Sequence, residues 1–408
     1  MPSFLQLRAL SYNDVAETLF YGGTTRTPVS STEFRTTLGD ITIRFLGTNL
    51  TYNADGSLSG GTLEEYRVYQ GAVDTSNQLI IGTSAFTLLS VSEINLAFTL
   101  AAAGREAEAI TVVTDSWTSE YFSQTNFVGG ILKGYGGDDG LFASYQVDTV
   151  YGGGGNDYMD LGYSDDTGYG GVGNDRIDGS DGNDLLWGEA GNDLLYGGTG
   201  NDTAYGDTGD DIMTGGRGND LLYGGVGTDT MVGDGGNDMV FGEQGDDKLY
   251  GRAGEDTIDG SIGNDLLQGD AGNDLLYGGD DQDQITGGAG NDQLFGGAGT
   301  DSLSADRGND LIFGGNGHDL ITGGLGNDTL TGGAGFDRFI FQPNAGTADL
   351  ITDFTDNGDL IDLTRFNLTD LSGHITDTLG GALIDLGAGQ TVLVSGITAA
   401  ALLDDILL

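Results

Sequence analysis

The sequence predicts an all-β chain, and three observations carry the prediction. From Gly134 to Ile340 the chain falls into 23 uninterrupted units of nine residues, 207 in all. Glycine accounts for 77 of the 408 residues, far above the roughly 7% of ordinary proteins. On either side of the block, short runs alternate apolar and polar residues as half-buried strands do.

Residues 1–133 read as a separate, mainly β domain carrying 13 acidic and 7 basic residues. Ile41 to Gly47 (ITIRFLG) alternates cleanly, and the runs YRVYQG and LIIGTSAFTLL behave alike. Ser92 to Ala103 reads as one helix.

Within the block, GGRGNDLLY (Gly215 to Tyr223) serves as the type unit. Position 6 is aspartate in all 23 copies, and position 4 is glycine in all but three, Gln146, Ser164 and Asp281. Position 8 is apolar everywhere except Gly168. Glycines permit positive φ angles and close backbone approach, leaving carbonyls free to point at an ion. Three-residue strands cannot stand alone, so they must stack on identical strands above and below, with position 8 forming a thin internal ladder.

This GGxGxDxUx pattern resembles the calcium-binding repeats of the RTX (repeats-in-toxin) family. The resemblance implies a right-handed parallel calcium β-roll, in which GGxGxD forms a turn, xUx a short strand, and two units one coil. Residues 341–408, with FDRFIF, DLITDF, DLIDL, ALIDL and QTVLV as short strands on and beyond the last repeat, are similar to the β cap that ends such rolls in serralysin-type proteases. That likeness extends to a C-terminal type I secretion signal at Asp404, Asp405 and Ile406 to Leu408, but to no protease domain.

Calcium takes six to eight oxygen ligands, so one turn with one carboxylate is insufficient and two turns 18 residues apart must share an ion. The aspartates expected to ligate are Asp139, Asp157, Asp175, Asp184, Asp193, Asp202, Asp211, Asp220, Asp229, Asp238, Asp247, Asp256, Asp265, Asp274, Asp292, Asp301, Asp310, Asp319, Asp328 and Asp337. Twenty-three turns allow at most 23 − 2 = 21 inter-turn ions, with the atypical turns at Gln146, Ser164 and Asp281 weakening some. The block holds 40 acidic and 6 basic residues, a net of −34, which 21 divalent ions offset with +42. Magnesium, which keeps its water and demands an octahedron, fits poorly. Without cation the block has the composition of a disordered chain, so metal binding becomes folding.

The whole chain carries 63 acidic against 14 basic residues, which makes nucleic acid and anionic membranes poor partners. Cysteine is absent, so neither disulfides nor thiolate chemistry are available. The opening MPSFLQLRALSYNDVAETLF has no signal-peptide pattern, and no run is long and apolar enough to span a membrane. With the family resemblance, which brings type I secretion machinery as the export route, these features imply an extracellular protein, free or on the cell surface.

The two histidines, His318 in a variable turn position and His374 in the cap, read as solvated, and no H-E-x-x-H motif exists. The expectation is therefore no enzyme, but a calcium-binding structural or interaction protein. The other reading is a polysaccharide-binding or carbohydrate-active factor with its activity in residues 1–133, using acids such as Glu17, Glu33, Glu64 or Glu65. Position 9 adds one feature calcium does not require. Every second copy reads Tyr151, Tyr169, Trp187, Tyr205, Tyr223, Phe241, Asp259, Tyr277, Phe295, Phe313 and Thr331, an aromatic stripe that reads as rings stacked between neighbouring coils, as a carbohydrate platform, or as a face for self-association or a protein partner through Trp187, Tyr205, Tyr223 and Phe241.

Overall fold

The structure is a computed structural model that describes residues 130–143, 145–343, 347–355, 358–371 and 373–408 in full, together with the backbone of eight earlier strands. The chain divides into two units, 1–117 and 118–408.

In the first unit, Glu33–Leu38, Ile41–Tyr52, Leu58–Gln70 and Gln78–Thr87 form a four-stranded antiparallel meander, which takes in Ile41 to Gly47 and, of the other two expected runs, Tyr66 to Gln70 and Leu79 to Thr87. The helix expected over Ser92 to Ala103 is overturned where that segment is described. Leu96–Phe98 is a strand, paired antiparallel with Leu5–Leu7 and with Thr111–Val113. The period-2 spacing of Leu96, Phe98 and Leu100 explains it, because alternation favours a strand wherever a neighbour is on hand.

The second unit is a parallel β-solenoid of about 13 turns. Odd-numbered repeats build one sheet of 15 parallel strands, from Tyr121–Ser123 to Ile406–Leu407. Even-numbered repeats build the facing sheet, starting from Ile131–Lys133. Register shifts by 18 residues per strand throughout the block: Leu222 lies opposite Ala204 on one side and Val240 on the other.

Most of the repeat strands are longer than three residues. A typical one, Leu221–Val226, covers positions 7 to 9 of one repeat and 1 to 3 of the next. The glycine turn is itself a ladder, since each position-4 amide donates to the position-3 carbonyl of the next coil, as Gly209 does to Val226 at 2.9 Å. No Cβ stands in the way of that approach.

Position 8 forms the core. Side chains such as Leu186, Leu195, Met213, Leu222 and Leu249 are fully buried, each worth about 1.5–3 kcal/mol for a Leu-sized group. The exception at Gly168 is compensated locally. Leu161, standing where the repeat calls for its first glycine, is fully buried, and a Cβ on Gly168 would lie 3.2 Å from its Cδ1.

Beyond the repeats, Ala348–Ile351 and Leu360–Asp362 add one more parallel strand to each sheet. The hairpin Gly381–Gly387 and Gln390–Ser395 then packs its second strand beside Ala348–Ile351. Arg338 of the last repeat is paired with the buried Asp362, whose Oδ1 also accepts from the amide and hydroxyl of Thr364. A short helix, Ala399–Leu402, capped by Thr398, leads into Ile406–Leu407, which pairs with Ile361 and Asp362 and closes the odd sheet.

A glycine at position 4 has no room for a side chain. Gly218 sits at φ +127°, and a Cβ there would overlap the carbonyl oxygen of Gly200, whereas a Cβ on Gly235 at position 3 meets nothing nearer than 3.8 Å. Gly218→Ala is expected to cost more than about 1 kcal/mol, and Gly235→Ala to stay within about 0.5 kcal/mol. Denaturant melts followed by circular dichroism in calcium read both, and equal effects would contradict the stacked-turn geometry.

Candidate metal centre

Each position-6 aspartate precedes a strand, and all 23 are buried, none more than 5% exposed. Its backbone is satisfied between coils: the amide of Tyr158 donates to the carbonyl of Asp139 at 2.8 Å, and the pattern repeats along the block. The amide of Asp139 in turn donates to Oδ1 of Asp157 at 2.8 Å. The same bond links Asp157 to Asp175, Asp184 to Asp202, Asp193 to Asp211, and so on to Asp319 and Asp337. Two continuous columns of carboxylates result, one along each edge of the solenoid.

The second oxygen is different. In 22 of these aspartates Oδ2 is buried and has no hydrogen-bond partner. It points toward the first glycine of its own turn, where a Cβ would overlap it. At Gly152 that Cβ would also overlap the carbonyl oxygen of Gly170 one coil on. Carbonyls at positions 2 and 4 form further columns, since a Cβ on Gly171 or Gly173 would overlap the carbonyl of Gly153 or Gly155. The result is an oxygen-lined cradle open only because glycine has no side chain. Among the described residues no three carboxylate or imidazole side chains gather at one point, so any cation here must draw on backbone carbonyls.

An ionised carboxylate oxygen buried without a partner costs several kcal/mol or forces protonation. Burial raises these groups far above the usual carboxylate value, offset in part by the amide bond to Oδ1 and reinforced by neighbouring carboxylates. Asp184, Asp193, Asp229, Asp238 and Asp274 reach about 7, and Asp175, Asp202, Asp220 and Asp328 about 6. Asp166 is pushed up to about 8. A bound cation of hard character removes this penalty by supplying the missing partner, and an all-oxygen cradle of carboxylate and carbonyl suits calcium rather than a softer metal.

The structure brings all twenty expected aspartates into these columns, and adds others. Asp148, Asp166 and Asp283, whose turns contain Gln146, Ser164 and Asp281, stand in the same register: Asp148 donates to Asp166, Asp166 to Asp184, and Asp283 to Asp301. Ser164 and Asp281 hold the positive φ of the missing glycine, at 86° and 80°. The columns also continue past the repeats, where the amide of Asp328 donates to Asp349 and that of Asp337 to Asp359, at 3.1 and 3.0 Å. Their spacings of 21 and 22 residues hide them from a nine-residue reading, although the runs Asp349-Leu350-Ile351 and Asp359-Leu360-Ile361 copy Asp319-Leu320-Ile321. At Asp359 the second oxygen is taken, because it accepts from the amide of Thr355 at 2.7 Å.

Position 5 supplies an outer ladder that the sequence reading did not use. Asn183, Asn201, Asn219 and Asn237 each offer Oδ1 to the amide one coil on, the first three to one another in turn. His318 belongs to the equivalent column on the other edge. It is not merely solvated, since its Nδ1 accepts from the amide of Phe336 at 2.9 Å and its ring stacks on Phe336 at 5.1 Å. His374 likewise lies 2.6 Å from the carbonyl of Asp385 through Nδ1. Of the acids considered for catalysis, Glu17 lies outside the described residues, as do the side chains of Glu33, Glu64 and Glu65.

The position-9 rings stack face to face. Centroid separations from Tyr151 through Tyr169, Trp187, Tyr205 and Tyr223 to Phe241 are 4.9, 4.6, 5.5, 5.0 and 5.0 Å. Asp259 interrupts the column, which resumes from Tyr277 to Phe313.

Fold and cradle together define a parallel β-solenoid of the metal-binding kind. The RTX calcium-binding nonapeptide repeat (4 copies) matches this sequence in seven windows that together run from 133 to 339, half of the chain. The chain belongs to that family, and its repeats bind calcium. None of the curated proteins matches it. Among solved structures it is similar to the AlgE6R3 subunit of the mannuronan C5-epimerase of Azotobacter vinelandii. The two are 23% identical over 35% of this chain and 78% of that one, with a TM-score of 0.16, a likeness that carries no argument. No helix among the described residues is long and apolar enough to cross a membrane.

The raised carboxylates give the metal-free roll a definite pH dependence. Their folded values of about 6 to 8 exceed the unfolded value near 3.8, so the folded state binds the extra protons. Its stability without metal is greatest in acid and is lost as pH rises through that window. In chelator, β-sheet circular dichroism is expected to be stronger at pH 5 than at pH 8, with calcium restoring it at pH 8. A chelated signal that grows with pH would contradict burial as the cause.

Proposed function

We propose that this chain is a secreted, non-catalytic structural or interaction protein whose roll is unfolded until it meets calcium outside the cell. The observation that carries the reading is the pair of carboxylate columns with 22 buried, partnerless oxygens. Asp139, Asp157 and their counterparts through Asp337, together with Asp148, Asp166 and Asp283, would hold the ions jointly with the turn carbonyls. Calcium supplies the positive charge that lets these carboxylates stay ionised inside the fold. A chain that is acidic, rich in glycine and metal-starved in the cytoplasm stays threadable, and folding outside makes export one-way.

Export through a type I system rests on the resemblance of Asp404 to Leu408 to an uncleaved C-terminal signal. That segment has a second role, because Ile406–Leu407 pairs with the last strand of the odd sheet. Self-association through Trp187, Tyr205, Tyr223 and Phe241 has narrower support. The ring faces cover one another, so a second copy would meet ring edges and the flanking Met239, which is 46% exposed. A sugar needs open ring faces, so the stripe favours a protein surface over a polysaccharide.

A calcium titration of the chelated full chain, read by circular dichroism, is expected to give a steep cooperative gain of β structure that magnesium does not reproduce. β signal retained in chelator at pH 8 would remove the metal-linked reading. Light scattering in the same titration tests assembly, with a mass above one chain that falls when the four aromatic residues are replaced by serine. A monomer at all calcium concentrations sinks the self-association reading alone.

Removing Asp404 to Leu408 is expected to abolish export and also to raise the calcium midpoint of folding, since it uncovers the edge at Leu360–Asp362. Normal appearance of the truncated chain in the medium would refute the secretion reading. An unchanged midpoint would refute the capping role.

A further inference from the structure

Among the described residues, three pairs of tyrosines lie one coil apart with their rings stacked. Tyr145 and Tyr163 are 5.1 Å apart at 27°, Tyr151 and Tyr169 are 4.9 Å apart at 6°, and Tyr205 and Tyr223 are 5.0 Å apart at 1°. Members of each pair are 18 residues apart in sequence and meet only because the coils stack in register. In Tyr151–Tyr169 and Tyr205–Tyr223 the partners are directly opposed in the parallel ladder. Tyr145 and Tyr163 stand at position 3 of a turn edge, 65% and 51% exposed, so a soluble oxidant reaches them directly.

We propose that these three pairs are sites of oxidative dityrosine cross-linking, which staples neighbouring coils together. The co-reactant is a one-electron oxidant of the peroxidase and hydrogen peroxide type. Each phenol gives up one electron and one proton to become a phenoxyl radical. The two radicals join through a carbon–carbon bond between ring positions ortho to the oxygens. The two ring hydrogens at the new bond then shift to the oxygens, restoring both phenols. The two electrons and two protons removed per cross-link reduce one hydrogen peroxide to two waters.

Register makes the coupling selective. Equivalent atoms of in-register side chains lie about one strand spacing, ~4.8 Å, apart, with no residue between the two rings. In an unfolded chain the same tyrosines are separated by about 23 Å on average, from ~5.5 Å times the square root of 18. Other tyrosines of the roll serve as internal controls, since their ladder neighbours are not tyrosines. Tyr196 lies between Asp178 and Thr214, Tyr250 between Val232 and Gln268, and Tyr277 between Asp259 and Phe295. The staple joins the coils that calcium also joins, but it survives removal of the metal.

The test oxidises the dilute full chain with a haem peroxidase and hydrogen peroxide, in calcium and in chelator. Dityrosine is read by fluorescence and located by peptide mass spectrometry. In calcium, monomeric chains are expected to carry links 145–163, 151–169 and 205–223, with a yield about tenfold or more above that in chelator, as the fall in effective concentration implies. Tyr145→Phe and Tyr205→Phe are each expected to delete one link and spare the others. After chelation, the linked chain is expected to retain β signal that the unlinked chain loses. Equal yields with and without calcium, links at Tyr196, Tyr250 or Tyr277, or links only between chains would each overturn the proposal. It rests on folding by calcium, so circular dichroism on the same samples separates the two. A roll that folds in calcium but gives none of the three links refutes this inference alone, and a chain that calcium does not fold refutes the earlier one.

Discussion

A carboxylate oxygen that is buried and has nothing to bind is the constraint on which the rest of this molecule depends. The position-6 aspartates commit amide, carbonyl and Oδ1 to neighbouring coils, and in all but one of the 23 this leaves Oδ2 buried beside a cradle of carbonyls. Proteins do not tolerate many such groups, and this one contains 22. The core cannot compensate, because it is one residue wide per strand. Protonation or a cation must, and at neutral pH the cation is the only one of the two that leaves the acids charged.

The glycines follow from the same requirement. Positions 2 and 4 sit at positive φ in most coils, and at the glycines of both positions the preceding coil's carbonyl lies where a Cβ would stand. Position 2 is more forgiving, because Glu189, Asp207, Glu243 and Arg252 adopt φ near +70 to +80° there. Those side chains project from the turn edge, and their strain is borne residue by residue.

Stacking at one-coil spacing also turns each sequence position into a column, so one residue type repeated becomes a surface. Asparagine at position 5 becomes an outer hydrogen-bond ladder, aromatics at position 9 become a ring stack, and the mixed odd face stays polar with Arg176 held between Tyr158 and Tyr196. The cap exploits the same geometry with irregular loops. It places Asp349 and Asp359 at the ends of the carboxylate columns and satisfies Asp359 with the Thr355 amide, ending that column without demand for a further partner.

Nine-residue periodicity alone determined the solenoid, its internal ladder at position 8 and the aspartates of the columns, because a strict period leaves only one way to align identical strands. The short cap strands were equally legible from alternation. What only the tertiary structure decided are relations across coils: which carboxylate oxygen is bonded and which is orphaned, how Leu161 fills the space beside Gly168, and that the atypical turns keep their aspartates in line. It also decided that Asp349 and Asp359 join the columns across loops of unequal length, and, among the readings open for the aromatic stripe, that the rings stack on one another. These depend on distances between atoms 18 or more residues apart. The chain sets such distances only when the sheets close and the coils come into register.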